Sequence, residues 1–328
     1  MRRTFAIADV LPIALVVAVC VCALAFISAP IWLNLTIAGV SVGLMIFLMA
    51  SGLTLIFGLM DVLNFAHAGL ITLAGYVTAS VYAAMPGWVS SNDLSTNVLI
   101  VLAAAAASML VAGALGYVIE RIIVRPVYGN HLKQILATTG VLIIIQQLAI
   151  AIWGADLLHV SQPTELKKAV TFGTFFVENY RLLICAVGLA QFVAMIWALE
   201  RSHLGLLIRA AVEDRESVES MGYEVKYLFV GVFAAGSAMA GLGGALWAIY
   251  QEVIFPEAGL QVMIMVFSVI IIGGLGSVLG CFVASILLGL IMNYVGFLVP
   301  SAVVACGFLL LLFVLVWRPH GFYPVVRR

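Results

Sequence analysis

Charge is what this sequence has least of, since only 9% of its 328 residues are Asp, Glu, Lys or Arg and 65% are hydrophobic. A soluble domain carries roughly 25% charged residues. The chain therefore cannot cover a surface that faces water, and its solvent must be lipid. The formal net charge is zero, and no basic patch with interleaved aromatic residues occurs. We therefore expect no nucleic-acid partner.

The motifs of catalysis and cofactor binding are also missing. No phosphate-binding loop is present, and no nucleophile stands with a base and an orienting group. We predict that the chain is not an enzyme, has no catalytic residues and needs no cofactor. Its five cysteines lie inside apolar runs and lack the spacing of metal ligands, which favours packing roles over a metal site.

Long apolar runs are what the chain has instead. A membrane-spanning helix needs about 20 predominantly apolar residues, and these runs are apolar on every side, unlike the alternating strands of a membrane barrel. We predict an all-α polytopic membrane protein with eight to ten transmembrane helices in one domain, residues 1–328. The second run is too long for one straight crossing, so we expect a tilt, or a break at Gly52 or Gly58. The runs cover residues 10–28, 32–60, 62–85, 97–119, 134–153, 181–199, 227–249, 262–276, 278–299 and 300–317.

Basic residues indicate the orientation of these segments. Of the 15 Lys and Arg, two precede the first segment, three follow the fourth, four follow the sixth and three follow the tenth, whereas only Lys167, Lys168 and Arg181 lie on the other side. Because basic residues gather in cytoplasmic loops, both termini are predicted to be cytoplasmic. Residues 154–180 then form a periplasmic loop, with a small hairpin near 170–177, and residues 201–226 form a cytoplasmic loop.

Polar residues interrupt the apolar pattern in "DVLNFAHAGL", residues 61–70. Asparagine or histidine in hydrocarbon is costly without a partner or water. Asn64 and His67 are three residues apart, which predicts that they share a helical face, and Gly69 would let another helix approach closely. Two interpretations stay open. The pair forms interhelical hydrogen bonds, or it lines a translocation pathway and holds a kink in it.

A glycine-rich segment, "IIGGLGSVLG", contains Gly273, Gly274 and Gly276. Glycine is unfavourable in a plain helix, and the Lys-Ser/Thr of a nucleotide-binding loop does not follow. We predict a broken or re-entrant helix with close packing. At membrane depth such backbone is tolerated only where protein or a water-filled cavity covers it.

The most polar segment is "ERSHLGLLIRAAVEDRESVESMGYEVKYL", residues 200–228. Residues 209–221 contain no Gly or Pro and are predicted to form a short helix that ends at Gly222. Its apolar side would consist of Ala210, Val218 and Met221. A helix of about 12 residues is marginal in water and would gain from docking onto a partner. A solvated loop is the alternative.

Within that segment, "ESVESMG" has the spacing of the Glu-Ala-Ala-x-x-x-Gly loop of ATP-binding-cassette importer permeases. Together with "GLTLIFGLMDVLNFAHAGLITLAGY", "ERIIVRPVYGN", "IIGGLGSVLGCFVASILLG" and "WRPHGFYP", it makes residues 32–324 resemble branched-chain amino-acid importer permeases of the LivH and LivM type. The Asn-Phe-Ala-His form is closer to LivH. Ala68 stands where the family often has Gly, and Ser217 and Val218 replace two alanines of its loop. The resemblance therefore identifies the family more closely than it identifies the substrate.

The resemblance implies a permease in the bacterial inner membrane that forms half of a pathway for branched-chain, hydrophobic amino acids. The implied partners are a second permease of LivM type, two cytoplasmic ATPases, a periplasmic solute-binding protein and membrane lipid. Urea, short amides or another small organic solute are alternative cargoes. An ion-coupled transporter or channel is less supported, because Asp61 and His67 are the only ionisable candidates in the early spans.

The resemblance also assigns roles to individual residues. The residues expected to couple to the ATPase are Arg209, Arg215, Glu216, Glu219 and Gly222. Those expected at the pathway or its kink are Asn64, His67, Gly69, Gly273, Gly274 and Gly276. Small residues within 236–248 predict a further tight helix contact, with the partner permease as one candidate for it.

Overall fold

The computed structural model describes residues 7–323 except 173, 174 and 214, and it is built almost entirely of helices. The helices are α1 Ile7–Leu24, α2 Ala29–Met60, α3 Ala66–Ala84, α4 Pro86–Val89, α5 Leu94–Ile119, α6 His131–Trp153, α7 Thr164–Lys167, α8 Asn179–Arg201, α9 His203–Glu213, α10 Arg215–Ser220, α11 Val225–Gln251, α12 Ala258–Gly273, α13 Val278–Leu298 and α14 Val303–Trp317. A π-helical turn, Glu120–Val124, and a 3-10 turn, Arg125–Val127, follow α5, and a 3-10 turn, Pro300–Ala302, precedes α14.

Each of the ten predicted apolar segments coincides with one long helix. Within the described residues these are α1, α2, α3, α5, α6, α8, α11, α12, α13 and α14. Seven of the described helical segments are long and apolar enough to cross a membrane by length and composition. The prediction of an all-α polytopic membrane protein is therefore confirmed.

The loops gather at two opposite ends of the helices. At one, which we call the hairpin end, β2 Ala169–Phe172 pairs antiparallel with β3 Phe175–Glu178, as the sequence predicts. There too, β1 Leu158–His159 pairs with β4 Val253–Ile254, which joins residues 154–180 to the link between α11 and α12.

The other end, which we call the basic end, contains the α2–α3, α5–α6, α8–α11 and α12–α13 connections. Direct contacts join several of these connections. His131 Nε2 lies 3.6 Å from Asp61 Oδ2, and the ring of Tyr128 meets that of Phe229. Because the α5–α6 and α8–α11 connections carry many of the basic residues, the basic end corresponds to the side that the sequence assigns to the cytoplasm.

Helix α2 runs without interruption for 32 residues, so the break expected at Gly52 or Gly58 does not occur. At 1.5 Å per residue it is about 48 Å long. Both glycines are points of contact instead. A Cβ atom on Gly52 would lie 2.1 Å from the carbonyl oxygen of Gly236, and one on Gly58 would lie 2.6 Å from Gly276 Cα. The glycines therefore serve helix packing, and the helix continues through both of them.

Helix α2 is also the centre of the core, where residues 41–56 are buried on every side. Lipid provides no hydrophobic force between helices, so association depends on small residues that let backbones approach. The small residues of 236–248 illustrate this, but the partner-permease contact suggested for them is wrong. Gly236 packs on Gly52 and Gly243 on Met49, and Gly244 packs on Ile71 of α3, so this face is buried within the chain itself.

The Gly236–Gly52 contact gives a direct test of this packing. A Cβ atom on Gly236 would lie 2.6 Å from Gly52 O, whereas one on Gly231 of the same helix meets nothing within 4 Å. We expect Gly236→Ala to destabilise the protein by about 1–3 kcal/mol, because overpacking forces the backbones apart. Gly231→Ala should leave stability equal or slightly higher. Thermal unfolding of both variants in detergent measures the difference, and equal melting temperatures would contradict the packing assigned to α2.

Candidate functional site

The connection between α2 and α3 carries Asn64 and His67. Helix α2 ends at Asp61, whose φ of 51° is left-handed, and residues 62–65 are not helical. Asn64 therefore precedes α3 and does not share a helical face with His67, contrary to the prediction. A contact with α6 holds the chain in this form, because the Phe65 N–H donates to Thr138 Oγ1 at 3.1 Å.

His67 lies in the first turn of α3 and is fully buried. Its Nε2 is 2.9 Å from the carbonyl oxygen of Met49 on α2. Because a carbonyl only accepts, Nε2 carries the proton and Nδ1 is left as an acceptor. This is the interhelical hydrogen bond that one interpretation of the sequence requires. Nδ1 has no hydrogen-bond partner among the described residues.

Asn64 differs from His67, because neither atom of its amide finds a partner within the part of the chain that the structure describes. It is nevertheless fully buried. A buried amide without a hydrogen bond is costly, and such groups in native proteins call for a specific explanation, such as water or a ligand. Gln134 Oε1 on α6 is a second buried acceptor of this kind. Asn64 thus offers a donor and an acceptor without a net charge.

Gly69 packs α3 against α6. A Cβ atom on it would lie 3.0 Å from Ile145 Cδ1. The close approach expected at Gly69 is therefore present, and it sets the distance between the two helices whose ends hold Phe65 and Thr138.

The glycine-rich segment breaks the helix into α12 and α13. Helix α12 ends at Gly273, and Gly274 and Gly276 have φ angles of 98° and 80°, which only glycine adopts without strain. A Cβ atom on Gly276 would lie 2.7 Å from Gly58 Cα. The turn therefore lies at the basic end, beside Gly58, which is two residues before α2 ends at Met60. The rings of Phe65 and Phe267 also meet, with centroids 5.4 Å apart.

The segment after α14 closes on the same turn. The N–H groups of Phe322 and Tyr323 donate to the carbonyl oxygens of Ile272 and Gly273 at 2.9 and 3.0 Å. Arg318 Nη1 in turn donates to Phe322 O at 3.2 Å. Sequence reasoning missed this role, and its only signal was the "WRPHGFYP" motif.

The polar segment between α8 and α11 contains two helices, α9 and α10. Helix α9 begins at His203, six residues earlier than predicted, and residue 214 lies outside the described residues. Gly222 ends the segment as predicted, with a φ of 89° and an N–H that donates to Glu219 O at 3.0 Å. Arg209 and Glu219 are exposed. The side chains of Arg215 and Glu216, at the start of α10, are outside the described part of the structure.

Val218 anchors α10, because it is buried against Ala211 and Val225 with Phe229 beside them. We call these four residues the anchor cluster. Met221, also predicted on the packed side, is 65% exposed. The reason is that α10 ends at Ser220 and Met221 belongs to the following turn, where its side chain points away from the cluster.

A family model described as "Branched-chain amino acid transport system / permease component" matches residues 35–317. The chain belongs to this family. The match extends from α2 to α14 and so includes Asn64, His67, the glycine-rich turn and the α9–α10 segment.

Curated relatives agree with the family. The chain is 30% identical over 301 residues to the high-affinity branched-chain amino acid transport system permease protein BraD of Pseudomonas aeruginosa. The aligned region covers 88% of this chain and 95% of BraD. It is 25% identical over 256 residues to LivH of Escherichia coli, covering 77% of this chain and 82% of LivH. The region aligned with LivM of Escherichia coli covers only 48% of this chain and 39% of LivM. The chain is thus a permease-family member of the LivH type. No solved structure matches it.

The contrast between His67 and Asn64 is testable. We expect His67→Ala to lower stability by about 0.6–2 kcal/mol, the range for interhelical hydrogen bonds in membranes, because it deletes the bond to Met49. Asn64→Leu should leave the melting temperature unchanged or raise it, since the buried amide has no bond within the described chain to lose, while transport falls. Thermal unfolding and solute uptake, measured on both variants, check this. An Asn64→Leu protein that unfolds as early as His67→Ala would refute the distinction.

Proposed function

We propose that the chain is the permease subunit of an ATP-driven importer of the bacterial inner membrane and forms half of its pathway for branched-chain amino acids. The observation that carries this proposal is the family match over residues 35–317, which extends through nine of the ten long helices. The relatives are named as permeases of branched-chain amino-acid transport systems. A permease of this kind moves solute and leaves ATP hydrolysis to other chains, so no enzymatic role is assigned to it.

The α9–α10 segment is the proposed docking site for an ATPase. It lies at the basic end, outside the apolar spans, and the anchor cluster fixes it to α11. Leu206, Met221 and Tyr223 each expose about half or more of their side chains. Exposed apolar groups outside the lipid-facing helices support a protein partner. We assign charged contacts with the ATPase to Arg209, Arg215, Glu216 and Glu219, and the end of the docking helix to Gly222.

The α2–α3 connection and the glycine-rich turn are the proposed inner part of the pathway. Asn64 supplies a buried amide that water or the passing solute would satisfy, and His67 holds α3 to α2. Gly69 keeps α6 close, and Gly273, Gly274 and Gly276 shape the turn that packs on α2. An amino-acid zwitterion needs a hydrated or dipole-lined route, and uncharged polar groups suit both of its charges.

The remaining partners follow from the family. We assign the second half of the pathway to a LivM-type permease, because Escherichia coli contains LivH and LivM as separate proteins and this chain covers LivH far better. We assign the hairpin end to a periplasmic solute-binding protein. There Lys167 Nζ lies 2.7 Å from Glu252 Oε1, which helps to hold residues 154–180 against the α11–α12 link.

Reconstitution tests the function as a whole. We expect vesicles that contain this chain, the LivM-type permease and both ATPases to take up radiolabelled leucine when the binding protein and ATP are supplied. Omitting the ATPases or ATP should abolish uptake, because the chain has no nucleotide-binding loop of its own. Urea and acetamide serve as competing cargoes, and preferential uptake of either would reassign the substrate. Full uptake by this chain alone without nucleotide would refute the proposal.

The docking role of α9–α10 has a matched test. Gly222 and Gly154 have φ angles of 89° and 94°, and a Cβ atom on either would meet nothing within 4 Å. Valine should therefore strain the backbone at both positions, by about 1–3 kcal/mol. We expect Gly222→Val to weaken ATPase binding in a pull-down, because it displaces the end of α10. Gly154→Val, at the hairpin end, should leave binding unchanged. Equal binding by the two variants would contradict the assignment.

A further inference from the structure

A buried acid marks the connection between α5 and α6, which we call the elbow, residues Glu120–Tyr128. Helix α5 passes into a π-helical turn at Glu120, and π turns inside helices are rare and frequent at functional sites. Glu120 has no exposed surface. Burying a carboxylate is costly unless it is paired and hydrogen-bonded. The elbow therefore buries a carboxylate, at a cost in folding free energy that a simple exposed loop would avoid.

Tyr128 is the group that holds Glu120, because its hydroxyl donates a hydrogen bond to Glu120 Oε1. Arg125 and Arg121 lie close enough to act on the charge of the carboxylate. The other oxygen, Oε2, has no hydrogen-bond partner among residues 7–323 outside the gaps. The bond from Tyr128 therefore joins the two ends of the elbow.

The same tyrosine also touches the anchor cluster of the α9–α10 segment. Its ring meets that of Phe229 edge to face, with centroids 6.2 Å apart and planes at 87°. Beside this contact lies a cavity of about 460 Å³, which is lined by the elbow on one side and residues 222–226 on the other. This cavity separates the turn after α10 from the elbow, while Tyr128 keeps its contact with Phe229 of α11, the anchor-cluster residue that lies beside Val218 of α10.

Beyond the elbow, α5 packs directly on the helix that carries His67. Ser108 Oγ on α5 donates to Ala74 O on α3 at 3.0 Å and lies 3.2 Å from Thr78 Oγ1. Gly116 of α5 packs on Ser237 of α11. These contacts are close and buried, so α5 and α3 are expected to move together.

We propose that Glu120 and Tyr128 are a positioning pair that transmits displacement of the α9–α10 segment through α5 to α3 and the pathway. The inference rests on the proposed function, since it requires an ATPase that moves α9–α10. The ring of Tyr128 contacts Phe229 on the docking side. Its hydroxyl bonds to Glu120, directly after the last residue of α5. Without the hydroxyl bond, displacement of the docking segment would reach α5 only through the packing of α11 on α5.

The test uses the reconstituted importer with Tyr128→Phe, Glu120→Gln and the double variant. Tyr128→Phe keeps the ring on Phe229 and removes the hydroxyl that donates to Glu120. The matched control is Tyr117→Phe, because Tyr117 OH accepts from Arg121 Nη1 at 2.8 Å on the exposed side of the same region. We expect ATPase binding and ATP hydrolysis to persist in all variants, while the melting temperature falls modestly in Tyr128→Phe because the buried carboxylate loses its donor. Solute moved per ATP should fall about tenfold in Tyr128→Phe, the order expected for one hydrogen bond to a charged group, and less in Glu120→Gln, whose amide oxygen still accepts a bond from Tyr128.

Two further results decide the proposal. The double variant should be no worse than Tyr128→Phe alone, because the bond that Glu120→Gln weakens is already absent there, and Tyr117→Phe should match the wild type. An unchanged ratio in Tyr128→Phe would overturn the inference, as would uptake and hydrolysis that fall in parallel with melting temperature. A wild-type chain that binds no ATPase would refute the proposed function itself. A coupled wild type with equally coupled variants would refute only the elbow.

Discussion

Close contact between backbones along α2 is the constraint on which the rest of this structure depends. Helices in lipid gain nothing from hiding apolar surface from water, so they associate where small residues allow van der Waals contact and weak polar contacts between main chains. On α2, Gly43 meets Ser285 of α13, Gly52 meets Gly236 of α11, and Gly58 meets Gly276 of the glycine-rich turn. Three glycines thus position three separate parts of the chain against one helix.

The candidate site follows from this arrangement. Because Gly58 touches the glycine-rich turn just before α2 ends, the α2–α3 connection and the α12–α13 turn lie side by side at the basic end. His67 then bonds to the carbonyl of Met49, about three turns before the end of α2. Thr138 of α6 accepts the N–H of Phe65. The site is therefore assembled by helices that pack closely, while Asn64 keeps a buried amide that the described chain does not satisfy. That combination suits a route for a polar, uncharged or zwitterionic solute.

Several elements were predictable from the sequence because each depends on local chemistry. The apolar segments became helices, since a chain in lipid must satisfy its backbone hydrogen bonds internally. The hairpin near 170–177 and the glycine turn at Gly222 that follows α10 were also foreseen. Other predictions were wrong for a common reason. Gly52 and Gly58 do not break α2, Asn64 is not helical, and Met221 is not packed, because a glycine or a methionine has several uses that only its neighbours distinguish.

The sequence alone determined the solvent, the number of long helices, the family and the polar segments outside the membrane, because apolarity acts on each residue separately against lipid. Only the tertiary structure decided which glycine meets which, why His67 has a partner when Asn64 has none among the described residues, and how Tyr128 comes to touch both Glu120 and the anchor cluster. These outcomes depend on pairs of residues far apart in the chain. Their energies exist only once the helices have packed, so no local pattern of residues contains them.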